Sequence, residues 1–165
     1  MSTLLLPLFI DDPVVKPNKP RYRLPVYRVE LVREQHLAAD NEIVTAPSEV
    51  AAIFRRLHEN ADREHLVVFC LDAKNCLRAI NTVSVGDLSS AIVSPREVFK
   101  PAVIANAAGI ILIHNHPSGD PTPSHDDIAV TRRISECGRL LGIELLDHVV
   151  VGEKAHTSLR ERGFV

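Results

Sequence analysis

The stretch Ile110-Ile111-Leu112-Ile113-His114-Asn115-His116-Pro117-Ser118-Gly119-Asp120-Pro121-Thr122-Pro123-Ser124-His125-Asp126-Asp127 decides how this chain is read. A short apolar run ends abruptly in two histidines. A loop with three prolines and a glycine follows, and then a serine and two aspartates open a helical pattern. The run over 110–113 is too apolar for anything but a buried strand, so the histidines sit at its end. Side chains alternate faces along a strand, which puts His114 and His116 on one face, about 6.5–7 Å apart along the backbone. Two imidazoles at that spacing converge on one metal ion. Asp127 falls in the first turn of the next element, and the loop is long enough to fold it back over the strand end.

His114, His116 and Asp127 therefore form a candidate set of three protein ligands for a metal that takes four. Catalytic zinc sites combine nitrogen and oxygen ligands in this way and leave one position for water. An ion so held lowers the pKa of water to about 7, which makes hydroxide available at neutral pH. The competing reading makes each histidine an ordinary hydrogen-bonded strand-end residue. Two at i, i+2 with a carboxylate downstream fit that reading less well than one would.

The pattern His114-x-His116, seven residues, Ser124, two residues, Asp127 resembles the JAMM motif of the JAB1/MPN metalloprotease superfamily. The fuller string from His114 to Asp120, with Pro123-Ser124 after it, is similar to the RadC branch of bacteria. So are Ser94-Pro95-Arg96-Glu97-Val98-Phe99 before it and Leu146-Asp147-His148-Val149-Val150-Val151 after it. The resemblance covers about residue 28 to the C-terminus. It implies an α/β fold, a mixed curved β-sheet flanked by helices, of the MPN/JAMM, cytidine-deaminase-like type. It implies one zinc ion per chain on His114, His116 and Asp127, and cleavage of peptide or isopeptide bonds. It also implies an oxyanion-stabilising role for Ser124. Many longer RadC-like proteins carry an N-terminal region of helix-hairpin-helix character that is not seen here, so no DNA-binding role of that region is transferred.

At 165 residues and 45% hydrophobic content, the chain is long enough for one core. A net charge of −2 argues neither for nor against an acidic partner. Cys70, Cys76 and Cys137 form no C-x-x-C pair and read as reduced thiols in a cytoplasmic protein. The apolar residues 4–10 lack a basic flank and a cleavage site, and Asp11-Asp12 follow, so they read as neither signal peptide nor membrane anchor. Residues 1–26 form a proline-rich basic arm, read as a solvated linker ahead of a nucleic-acid-binding tail. Residues 27–165 form the domain. Nothing bears on the oligomeric state.

Along the domain, residues 27–37 alternate as a half-buried strand. A helix begins at Thr45 or Ser48, and His58 lies on its solvated side. A continuous buried strand over 64–71 turns through Asp72 into a hairpin partner over 76–85. Ser94-Pro95 with Glu97 signals a second helix, running to about Ala108. After the histidine strand, a third helix runs from Ser124 to Gly142, a strand occupies 143–151, and 158–162 form a short helical turn.

A metal-activated water still needs a general base. Glu97 already has an explanation in its helix cap. Glu64 opens a buried strand on the face of Leu66 and Val68, where burial raises a carboxyl pKa toward the range that suits a base. The resemblance points to Glu64 as well. Ser124 is both helix N-cap and, by resemblance, oxyanion donor; if Asp127 holds metal, its back-bond to the cap is expected to be half used. Asp126 is the rival ligand to Asp127, and His125 points elsewhere on the helix. Asp120 orders the loop as a turn residue. His148 reads as a core histidine ahead of a partner to a ligand, and His156 as exposed in a polar turn. Alternatives to a peptidase acting on a peptide or protein are a DNA-repair-associated nucleic-acid-binding or processing protein and a non-catalytic MPN interaction module.

Removing residues 1–25 should leave metal content and solubility unchanged, because the arm offers little apolar surface after Ile10. Aggregation of the shortened protein would show that residues 4–10 pack on the domain or that the arm mediates an oligomer.

Overall fold

A computed structural model describes residues 43–59, 61–86 and 93–165, together with Pro25, Val26, Arg28, Val32 and Glu34. The proline-rich arm and most of the strand expected over 27–37 lie outside the described residues. The elements, in order, are α1 (Pro47–Leu57), β1 (His65–Leu71), β2 (Leu77–Val85), α2 (Pro95–Ile104), β3 (Gly109–Asn115), α3 (His125–Leu141), β4 (Glu144–Val151) and β5 (His156–Ser158). The strands form one mixed sheet in the order β2-β1-β3-β4-β5. β1 runs antiparallel to β2 and β3, β3 parallel to β4, and β4 antiparallel to β5. The parallel pair needs a crossover, and α3 supplies it. This is the α/β fold, a mixed sheet flanked by helices, that the motif implied.

The unbroken apolar runs of β1 and β3 follow from burial on both faces. On one face, Val67, Phe69, Ile111, Ile113 and Val149 pack against Val50, Ile53 and Phe54 of α1. On the other, Leu66, Val68, Cys70, Ile110 and Leu112 pack against Val98 and Phe99 of α2 and Val130 and Ile134 of α3. Each such side chain contributes about 1.5–3 kcal/mol when fully buried. The two histidines thus emerge at the end of a strand buried on both faces. All three cysteines are free thiols, and burial pushes the Cys70 thiol up to about 12. Among the described residues, no helix is long and apolar enough to cross a membrane.

Several boundaries differ from the sequence expectation. α1 has Ala46 at its N-cap. The Glu49 carboxylate does the capping instead, accepting from the Thr45 N–H at 2.7 Å and the Ala46 N–H at 3.3 Å. Ser94 and Pro95 start α2 as expected, but the Ser94 side chain makes no cap bond and Glu97 pairs with Lys100 at 2.5 Å. α2 ends at Ile104 because Asn106 turns left-handed, at φ 51°, and the Ala108 N–H already donates to Leu71 O at 2.8 Å. The helical turn expected over 158–162 is replaced by β5 and a following turn. Val149 pairs with Ser158, and the Leu159 N–H donates to His148 O. A three-residue strand offers too little alternation to be read from sequence.

Gly138, inside α3, gives a test of how tightly α3 seats on β4. Alanine there should gain about 1 kcal/mol of helix propensity over glycine. A Cβ on Gly138 would stand 2.4 Å from Ile143 O and 3.3 Å from the Phe99 ring. Ile143 cannot retreat, because its N–H donates to Gly138 O at 3.0 Å. Overpacking costs about 1–3 kcal/mol, so Gly138→Ala should lower Tm. A raised Tm would show that the connection between α3 and β4 relaxes.

Candidate metal centre

The centre lies where β3 ends, β1 begins and α3 begins. Leu66 of β1 faces His114 of β3 across the antiparallel ladder. Two residues further out, Glu64 comes opposite His116 on the same face, by the period of two. α3 starts beside them and delivers Asp127. One ligand atom from each of Glu64, His114, His116 and Asp127 lies within 4.8 Å of all the others. His114 Nε2 is 3.1 Å from His116 Nε2, 3.2 Å from Asp127 Oδ1 and 3.6 Å from Glu64 Oε1. His116 Nε2 is 3.4 Å from Asp127 Oδ2. The His114 side chain is 0% exposed and Asp127 4%, while His116 and Glu64 keep 17% and 16%.

Hydrogen bonds on the far side of each group aim the near side inward. His116 Nδ1 lies 2.8 Å from the Asp120 carbonyl oxygen. A carbonyl only accepts, so His116 carries its proton on Nδ1 and presents a bare Nε2. Asp120 also orders the loop as expected, its Oδ1 accepting from the Thr122 N–H and hydroxyl at 2.9 and 2.7 Å. Asp127 Oδ2 accepts from the Ser124 N–H and the Ser124 hydroxyl, both at 2.7 Å, and Ser124 Oγ accepts from the Asp127 N–H at 3.1 Å. The capping box is therefore complete and not half used: one carboxylate oxygen serves the cap and the other faces His114. Asn115, between the histidines, was not singled out from sequence. Its amide accepts from the His65 N–H at 2.9 Å and donates to Arg63 O at 3.0 Å, bracketing Glu64 on both sides.

His148 is a core residue, and it also contacts His114, a candidate ligand. It is 1% exposed, with Nε2 2.9 Å from His114 Nδ1 and Nδ1 2.6 Å from Thr131 Oγ1. Burial, followed by the neighbouring His114, lowers its pKa to about 3. Thr131 had no sequence signal beyond its helical spacing from Asp127. Asp126 and His125 are exposed, and neither they nor Glu97 joins the cluster. His58 stays apart too, stacked between Phe54 and His65 with ring centroids 4.7 and 4.6 Å away. His156 is half-buried in β5 and not in an exposed turn.

The donor set fits a divalent cation. Imidazole nitrogens and carboxylate oxygens face one another around one point, and three such groups match a zinc site with an open position. Burial alone would push the Asp127 carboxyl up. When the imidazoles of His114 and His116 are protonated, their hydrogen bonds to it outweigh burial and hold the group far below the usual carboxylate range. The bond that protonated His116 can make to Asp127 raises the His116 pKa, against burial. A cleft of about 650 Å³ opens beside His116, walled by Phe54, Arg55 and His58 on one side and Ser118 and Gly152 on the other.

Residues 44–164 match the family described as the RadC-like JAB domain. The chain is 49% identical over 123 residues to a UPF0758 protein of Desulfitobacterium hafniense, covering 74% of this chain and 54% of that one. It is 48% identical over 139 residues to the UPF0758 protein YsxA of Bacillus subtilis, covering 83% and 60%. The chain thus spans between half and two thirds of the length of these relatives.

The cluster is expected to take about one divalent ion per chain at neutral pH, read by metal analysis of protein purified without added metal. His116→Ala should lose the ion and keep the fold, since His116 stands beyond the last residue of β3. Stoichiometric metal in that variant would refute the ligand set. Protons compete with metal for His116 Nε2. Because the His116 pKa is raised, affinity should fall with decreasing pH from a higher point than an ordinary histidine would give.

Proposed function

This chain belongs to the RadC-like JAB domain family, and from that premise we propose that it is a zinc-dependent hydrolase of peptide or isopeptide bonds. The observation that carries the reading is the convergence of Glu64, His114, His116 and Asp127 at the end of a buried strand. His114, His116 and Asp127 would hold the ion. Zinc, when bound, supplies a Lewis acid that brings the pKa of water toward neutrality.

The chain's own residues then have separate tasks. Glu64 takes a proton from the attacking water and returns it to the leaving nitrogen. Its carboxylate reaches the cluster from β1 while the ligands come from β3 and α3, so base and ligands do not share an element. Asn115 holds the backbone on either side of Glu64, which fixes the reach of the carboxylate. Ser124 would donate its hydroxyl to the developing oxyanion. That requires the hydroxyl to swing from Asp127 Oδ2, which keeps its bond from the Ser124 N–H. The cleft meets the cluster at His116 and on this reading would seat a polypeptide segment, so a peptide or protein is the assigned partner. Free thiols suit the reducing cytoplasm, where we place it.

Glu64→Gln keeps the size of the side chain and removes the base. Metal content should stay near wild type, while amide hydrolysis should fall by about 10²–10⁴-fold. Loss of metal would recast Glu64 as a ligand. Full activity with metal retained would move the base elsewhere. A wild-type protein that cleaves phosphodiesters and no amides would replace this reading with the nucleic-acid one, and one that binds metal and cleaves neither would favour an interaction module.

A further inference from the structure

Behind His114, two buried side chains outside the ligand set, Thr131 and His148, link it to the Asp127 carbonyl. Thr131 Oγ1 lies 2.6 Å from Asp127 O and 2.6 Å from His148 Nδ1, and His148 Nε2 lies 2.9 Å from His114 Nδ1. Thr131 and His114 are 0% exposed and His148 1%, so bulk water does not reach these contacts. Each contact needs one hydrogen between its heavy atoms. A carbonyl supplies none, so the Thr131 hydroxyl must donate to Asp127 O. That hydroxyl has one proton, so in the second contact Thr131 Oγ1 accepts, and the His148 Nδ1–H donates. Burial keeps the His148 ring neutral, so its Nε2 is bare, and the third contact takes its hydrogen from His114 Nδ1. Reversing the direction would leave two oxygens 2.6 Å apart with no hydrogen between them.

We propose that Thr131 and His148 are positioning residues: through this one-way chain they fix His114 as the Nδ1–H tautomer and so turn its Nε2 lone pair to the metal. The inference rests on the metal reading of the cluster. The chain also ties two ligands together. Thr131 stands one helical turn after Asp127 and bonds its carbonyl, so the same hydroxyl that sets the histidine proton braces the carboxylate's helix turn. The opposite tautomer would put a hydrogen on His114 Nε2, where it blocks coordination. Groups that orient a ligating histidine from behind are worth about 10–100-fold in metal affinity.

The first test needs no variant. Imidazole nitrogen NMR of the metal-free and zinc-loaded protein should show His148 protonated at Nδ1 and bare at Nε2 in both, and His114 protonated at Nδ1. A His148 proton on Nε2 overturns the proposal. The second test titrates zinc against a competing chelator. Thr131→Val removes the hydroxyl at nearly constant shape and should weaken zinc binding about 10–100-fold, and Thr131→Ser should restore it. Wild-type affinity in Thr131→Val also overturns the proposal, as does equal loss in Thr131→Ser with an unchanged melting curve. If the wild type takes no zinc, the metal reading fails, and the metal-free spectrum still decides the proton chain.

Discussion

Hydrogen-bond acceptors repel when they are aimed at one another, and this fold aims four of them at one point. Two imidazole nitrogens face each other at 3.1 Å, with two carboxylates beside them. Burying such groups away from water costs several kcal/mol unless something compensates them. Nothing in the near surroundings turns them outward, because each group is tethered through its far atom or its backbone. His116 is held at Nδ1 by Asp120, His114 at Nδ1 by His148, and Asp127 at Oδ2 by the Ser124 N–H. Glu64 is held through its carbonyl, which accepts from the Gly86 N–H at 2.8 Å. A cation at the centre would convert that repulsion into attraction, so the tethers argue for a metal site more sharply than the residue identities alone.

The tethers come from separate elements, so sheet register decides whether they meet. Leu66 must face His114 for Glu64 to reach the cluster, and Leu112 must face His148 for the ring behind His114 to be in place. A slip of one residue would turn every one of these side chains to the other face. Because β1 and β3 are apolar on both faces, the polar–apolar pattern alone does not oppose that slip. The shape fit of their side chains between α1 and the α2–α3 layer holds the register. The proline loop is seated by close backbone contact: a Cβ at Gly152 would lie 2.3 Å from Gly119 O. The Glu153 N–H donates to that same oxygen at 3.0 Å, and the His116 N–H donates to Val151 O at 2.9 Å.

What the sequence made legible was whatever depends on local period. Strand alternation put His114 and His116 on one face, the Ser124-x-x-Asp127 spacing started α3, and Glu64 shared a face with Leu66. The remainder depends on phase that local period does not carry. β4 pairs Ile110 with Leu145 and Ile111 with Asp147, which leaves Leu146 as an extra residue in the ladder. Counting alternation from Leu145, which packs on the α2–α3 face, places His148 on the opposite face, behind α1. The bulge reverses the phase and brings His148 to His114. β5 and the early end of α2 were hidden for a related reason. Both are set by bonds to distant partners, His148 O for Leu159 and Leu71 O for Ala108.

The capping box shows how one residue joins secondary structure to the centre. Reading Asp127 as a single acceptor makes cap and ligand compete. A carboxylate has two oxygens and about four lone-pair positions, and this one divides them. Oδ2 closes the helix start with Ser124 while Oδ1 faces His114 at 3.2 Å. The usual residue at this cap position is glutamate or glutamine, whose extra methylene lets the whole side chain fold back to the cap. Aspartate is shorter and reaches the Ser124 N–H only by lying close along the first turn. That posture keeps its second oxygen beside the histidines. The first turn of α3 and the geometry of the centre are therefore one constraint, and a change that loosens either loosens both.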